Sequence, residues 1–270
     1  MDVDAVERLV AADALAQDRI ETQAAAQVVA QFQAIDDWAD HDAITAASRR
    51  AGETTRSAAQ LGAASADAYM TRTLTDVLGG TPRTAGALRI ADPVRLGVNS
   101  WATAYGRVAD TVRFEMSRGK SLDDAVAVGL KRAEAMVSTD LALARRQQWQ
   151  RSLLANPQVI GWRRVIHPEL SRTGTCGLCI AAADRTYTKD VLAPLHARCK
   201  CTVAPVTRAH DPGGTLNDRD LAAVYESAAS YKGKDLKKVR FRVVDHGELG
   251  PTLVDVDHRW RGPAQVAAAA

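Results

Sequence analysis

Apolar residues recur at three- and four-residue spacing near the N-terminus: Val6, Leu9, Val10, Ala14, Ile20, Val28, Phe32 and Ile35. That period puts them on one side of a helix and predicts a long helix over 3–47. A second helical stretch, from about Ile44 to Leu78, stops at Gly79-Gly80 and is followed by Pro82. TPRTAGALRIADP is a connection, and Pro93 suits the first turn of a third helix that runs to about Ser117. Arg118-Gly119-Lys120 forms the next turn. Ser121 with Asp124 resembles a capping box and opens a fourth helix, which ends near Leu154 at Asn156-Pro157.

Beyond Pro157 the period changes to two. Trp162–His167 and Val239–Val244 alternate as strands, and Thr202–Val206 reads as a closing strand. AHDPGGTLNDRD reads as a loop and Leu221 to Ser230 as a short helix. The stretch from Gly250-Pro251 to the terminal alanines reads as an extended tail.

Composition changes this picture in one respect. Hydrophobic residues make up 46% of the 270, but aromatics only 5%, and much of the apolar share is alanine. Alanine favours helix and buries little area per residue, so the first half is expected to be elongated, with stability gained from a partner. No run of about 18 apolar residues exists, so no membrane-spanning helix is expected. The start, MDVDAVERLV, is acidic and lacks the pattern of a signal peptide. A reducing cytoplasm is the expected folding compartment, where clustered cysteines read as metal ligands sooner than as disulfides.

The net charge of +3 conceals a polarity. Residues 1–47 hold ten Asp/Glu against two Lys/Arg, whereas residues 145–210 hold eleven Lys/Arg against three Asp/Glu. Both regions read equally as solvated faces. The sharper reading has the basic region facing a polyanion and the acidic N-terminus facing a basic protein surface.

All four cysteines lie in TGTCGLCIAAADRTYTKDVLAPLHARCKCTVAPV, residues 173–206. Cys176-x2-Cys179 is followed after sixteen residues by His196-x2-Cys199-x-Cys201. A CxxC turn presents two thiolates to one tetrahedral ion, and Cys199 and Cys201 share a face in an extended segment. Zinc needs four ligands, so one of His196, Cys199 and Cys201 is surplus. Buried thiols and a pair of disulfides are the competing readings. A small module with little core favours the metal, as a structural Zn2+. The fold class expected is therefore α+β: an elongated α-helical N-terminal half followed by a small zinc-stapled α+β module. Its divisions are an alanine-rich helical domain over 1–156, a zinc-knuckle-like module over 157–210, and a helix, strand and tail over 211–270.

Catalytic signatures are weak. His167-Pro168-Glu169 has the letters of a deaminase motif, but Thr175 stands where proline should precede the CxxC. HExxH, Gly-x-Ser-x-Gly and Walker patterns are absent from the sequence. Cys199 with His196 makes a nucleophile pair on paper. Asp184 reads as a turn residue or as a partner of His196.

The run Cys176-Gly-Leu-Cys179-Ile-Ala-Ala-Ala-Asp184-Arg-Thr-Tyr187, then Pro194-Leu-His196-Ala-Arg-Cys199-Lys-Cys201 and Pro205, resembles the phage Mu F-like minor head protein (head morphogenesis) family of actinobacteriophages. His246-Gly-Glu-Leu-Gly-Pro251 and His258-Arg-Trp-Arg-Gly-Pro263 resemble the ending of those proteins. Where the common family form has His-Pro before the Cys-x-Cys, this chain has His196-Ala197. The resemblance implies a virion component, located in the capsid interior near the portal vertex and in host cytoplasm during assembly; some members are labelled capsid maturation proteases, but the residues here offer no protease constellation, so no enzyme is expected. Its implied partners are the portal protein, the major capsid protein or scaffold, and packaged double-stranded DNA, with no membrane. Arg145, Arg146, Arg151, Arg163, Arg164, Arg198 and Lys200 are the expected phosphate contacts, made without sequence readout. A capsid maturation protease using Cys199 and His196, or a free zinc-knuckle DNA-binding protein, are the alternatives.

Overall fold

The computed structural model describes residues 2–167, 170, 182–183, 185–190, 200–218, 241–245 and 251–255. It is helix-rich α+β. Four helices come first: α1 Val3–Gln33, α2 His41–Leu78, α3 Trp101–Ser117 and α4 Leu122–Ala155. Each begins at a side-chain cap that accepts backbone N–H bonds: Asp2, Asp40, Ser100 and Ser121. The helix expected over 3–47 is thus two. Asp40 caps a new start through Asp42 N and Ala43 N, and the aspartate-rich 34–40 turns the chain. The third helix begins at Trp101 rather than Pro93, because Ser100 supplies its cap. No helix among the described residues is long and apolar enough to cross a membrane.

Side-chain bonds fix the helix directions. Gln17 bonds Gly62 and Gln31 bonds Thr54, so α1 runs antiparallel to α2. Gln148 bonds Asp67 while Arg145 lies beside Gly62, so α4 runs parallel to α2. Tyr105 donates to Asp140 and Gly129 faces Val108 and Val112, so α3 runs antiparallel to α4. Alanines Ala47, Ala51, Ala59 and Ala63 of α2 are fully buried, and their small side chains let the helices approach closely. The approach is tightest at Gly52, where an added Cβ would sit 2.7 Å from Trp101 Cβ.

Residues 79–100 have no helix or strand and form a strap over α2 and α4. Side-chain amides serve it as a strand partner would. Asn156 accepts from Arg83 N (2.9 Å) and donates to Arg83 O (3.1 Å). Gln148 accepts from Leu88 N (2.7 Å) and donates to Gly86 O (3.2 Å). Gln60 accepts from Ile90 N (2.8 Å) and donates to Leu88 O (2.9 Å). Further on, Arg95 pairs with Asp140 and donates to Met136 O. The strap thus descends α4 from Asn156 towards Met136, and α3 completes the descent.

Strands β1 Val159–Val165, β2 Thr186–Thr188 and β3 Thr202–Thr207 form an antiparallel sheet in the order β2-β1-β3. Trp162 pairs with Tyr187 on one side and Pro205 on the other. Pro205 is tolerated because β3 is an edge strand. A Cβ at Gly161 would overlap the Tyr187 carbonyl, so glycine lets β2 close on β1 and stack Tyr187 on Trp162, with ring centroids 4.3 Å apart. Val159, Trp162, Val165 and Val203 join Val6, Val10, Met70, Leu74, Trp149 and Leu153 in one buried cluster. Helices and sheet therefore share a core across the change of period at Pro157.

The AHDPGGTLNDRD stretch is not all loop: residues 212–218 are helical. Asp211 caps that turn by accepting from Gly214 N, and Pro212 follows in the first-turn position. Asn217 reaches back to bond Ile166 N, Arg164 O and Ala183 O. Strands β4 Phe241–Asp245 and β5 Pro251–Asp255 form an antiparallel hairpin, so part of the expected tail is strand. The helix expected at 221–230 lies outside the described residues.

Candidate functional site at the helix–sheet seam

Of the cysteine segment, the structure describes residues 182–183, 185–190 and 200–206. Cys176, Cys179, Asp184, His196, Arg198 and Cys199 lie outside the described residues. Cys201 is 7% exposed and shares a buried cluster with Ile166 and Ala183. Among the described residues, no group of three or more His, Cys, Asp or Glu is placed to hold a metal ion.

The four residues leaving the segment are each engaged by the body. Lys200 Nζ meets Asp18 Oδ1 at 3.0 Å and Glu21 Oε1 at 2.9 Å, both on α1. Cys201 enters the core. Thr202 Oγ1 lies 3.0 Å from His167 Nε2, and Val203 O accepts from Tyr69 OH of α2 at 3.0 Å. Upstream, Ala182 and Ala183 are buried, and Tyr187 OH donates to Ala182 O.

Beneath these anchors lies a buried polar cluster. Asp13 is 4% exposed; its Oδ1 accepts from Gln17 Nε2 at 3.4 Å, while its Oδ2 has no hydrogen-bond partner among the described residues. Burial pushes the Asp13 carboxyl up to about 6, against the opposing charge of Arg145, the Gln17 bond and His167. The Tyr69 phenol is raised above its ordinary range by burial and then by the Asp13 charge. A carboxyl able to hold a proton near neutral pH, a phenol and an imidazole are thus gathered where α1, α2, α4 and the β1–β3 pair converge. All three are buried, so the arrangement ties helices to sheet rather than presenting a reactive group to solvent.

The expected phosphate-binding surface is corrected by this geometry. Arg145, Arg146 and Arg164 are buried, so they offer nothing to a polyanion. Arg145 instead lies over the Trp149 ring, 5.7 Å from its centroid. Burial also draws the Arg146 guanidinium down to about 10. Arg163 is forked onto Asp211 and donates to Ala183 O and Thr186 Oγ1. Lys200 is held by α1. Of the described candidates, Arg151 stays exposed. The acidic N-terminus and the basic segment answer one another within the chain: Asp13 to Arg145, and Asp18 and Glu21 to Lys200.

Several residues central to this seam carried no advance signal. Gln17 and Tyr69 look like ordinary helix residues. Asp211 did carry one, since Asp before Pro is a helix-start pattern. No protein family, curated protein or solved structure matches the chain.

Proposed function

We propose that this chain is a non-enzymatic assembly component of a tailed-phage head, the role implied by its resemblance to Mu F-like minor head proteins. It joins the portal and the capsid interior and acts in head assembly or DNA delivery. The observation that carries this reading is the anchoring of the cysteine segment. Residues 182–183 and 200–203 enter the buried core or bond to α1 and α2, so the segment is built onto the helical body. Such a construction suits a protein that presents a shape to a larger assembly.

Within that role, Cys176, Cys179 and two of His196, Cys199 and Cys201 supply the four ligands of a structural zinc. The zinc would close the segment between its two anchors, as a metal does for small modules. DNA contact then rests on residues such as Arg151 and Arg198 rather than on one basic patch.

The test is to purify the full chain, measure metal content and thiol reactivity, and sediment it with the portal protein of the phage that encodes it. The expected result is one zinc per chain, thiols protected until chelation, and co-sedimentation with portal. Cleavage of coat or scaffold, lost in Cys199→Ala with the fold intact, would overturn this in favour of a protease.

A further inference from the structure

The acidic N-terminal region divides in two. Asp13, Asp18 and Glu21 are used inside the molecule. Asp36, Asp37, Asp40 and Asp42, at the α1–α2 corner, remain exposed. Asp123 and Asp124, in the first turn of α4, are exposed as well. These two places meet across a groove of about 310 Å3. Ile35, Trp38, Leu122, Val126 and Leu130 line it, with Asp36 and Asp123 beside them. Leu122 is 42% exposed, and Trp38 is braced by stacking on Phe32.

The charge of this face selects its occupant. Lys120, in the neighbouring turn, is engaged by Glu115 at 2.7 Å, and Arg118 lies over the Phe114 ring. Asp40, Asp42, Asp123 and Asp124 complement the positive N-terminal ends of α2 and α4, yet all remain open to water. A nucleic acid would be repelled here. A second copy docking face to face would set carboxylate against carboxylate, which costs several kcal/mol. What fits is a positively charged surface carrying aliphatic side chains on one stripe.

We propose that this groove is a docking site for a basic amphipathic helix of a partner protein, its aliphatic residues seated on Trp38, Leu122 and Val126 and its lysines or arginines against Asp36 and Asp123. This is the helix-in-groove mode of recognition, with charge setting orientation and rate of encounter. It adds a surface and a partner chemistry to the assembly role, and it holds whichever protein the partner is.

The probe is a fluorescent amphipathic Leu/Lys peptide of about 18 residues, long enough to fold on binding. Its anisotropy is read against the full chain and the variants Leu122→Gln and Asp36→Asn/Asp123→Asn, each checked for helix content. These side chains are exposed, so both variants should fold. Binding is expected to weaken about ten-fold or more in each variant and to fall with added salt, and a Leu/Glu peptide should not bind. Equal binding to wild type and both variants, or none to wild type, would overturn the proposal. So would self-association of wild type that Leu122→Gln abolishes, since that assigns the face to a second copy. Portal co-sedimentation by wild type alongside no binding of the Leu/Lys peptide would sink this docking site while leaving the head-protein reading standing.

Discussion

Two long seams hold this molecule together by opposite chemistries. From Arg83 to Ile90 the strap is bound by neutral amides, whose carbonyl and NH2 groups match the backbone they face, and only beyond them, at Arg95, does an ion pair with Asp140 join in. The cysteine segment is bound by charge: Lys200 to Asp18 and Glu21, above a cluster built on Asp13, Arg145 and His167. A seam of neutral amides is indifferent to pH and salt but intolerant of shape change. A seam of charges tolerates shape change better and answers to both pH and salt. One region is thus fixed by geometry, and the other is open to adjustment by solution conditions.

The largest effect is expected at Gln148, which serves Leu88 N, Gly86 O, Asp67 and Ser152 at once. Gln148→Met keeps the volume and strands those groups, so denaturant unfolding should show a loss of about 3 kcal/mol. That loss should be the same at pH 5 and pH 8. A loss well below about 1 kcal/mol would mean that the strap is held by its apolar contacts instead.

Asp13 should give the next largest effect, with the opposite dependence on conditions. Its folded carboxyl titrates at about 6 against an ordinary 3.8, so the folded chain holds a proton that the unfolded chain has released. Stability from this group is therefore full below about pH 4 and declines as pH rises through about 6. Asp13→Asn removes the slope. It should be more stable than wild type above pH 6, by up to about 3 kcal/mol, and match it near pH 4. Parallel stability–pH curves for the two proteins would contradict the buried placement of this carboxyl.

Smaller effects grade the anchors. Tyr69→Phe removes the bond to Val203 O and should cost about 1 kcal/mol, with little salt dependence. Lys200→Met should cost less than about 1 kcal/mol, because its partners are partly solvated, and the cost should vanish in high salt. A salt-insensitive Lys200→Met would place the charged seam in the same class as the strap.

Local pattern carried the helices but not what joins them. The 3.6-residue period and the Ser121 and Gly79 boundaries were legible because each depends on neighbours a few residues away. The Asp40 cap was legible in principle, since the two expected helices overlapped at 44–47, but an unbroken apolar period hid the turn. The strap was not legible: Gln148 and Asn156 meet backbone groups 60 and 73 residues away, and nothing near either residue announces it. The basic region was misread for a related reason. A count of charges along the chain cannot show that Asp211 folds onto Arg163, or that α1 brings Asp18 and Glu21 to Lys200. Of the residues that the sequence groups by cysteine spacing, Cys201 is described, and it lies in the core.

The strap also sets an order of events as the chain is made. A nascent chain that has emerged only through α3 possesses Gln60 but neither Gln148 nor Asn156, and Asp140 has yet to receive Arg95. Residues 79–100 then have Gln60 as their one amide clamp, and α3 meets Gly52 with its own apolar face before α4 is there to back it. The amides of α4 arrive together at the end of the bundle's synthesis and close the strap in one step. A chain cut short within α4 would therefore lose the return path of its second helix as well as its last turns, so the bundle should form as a unit or not persist.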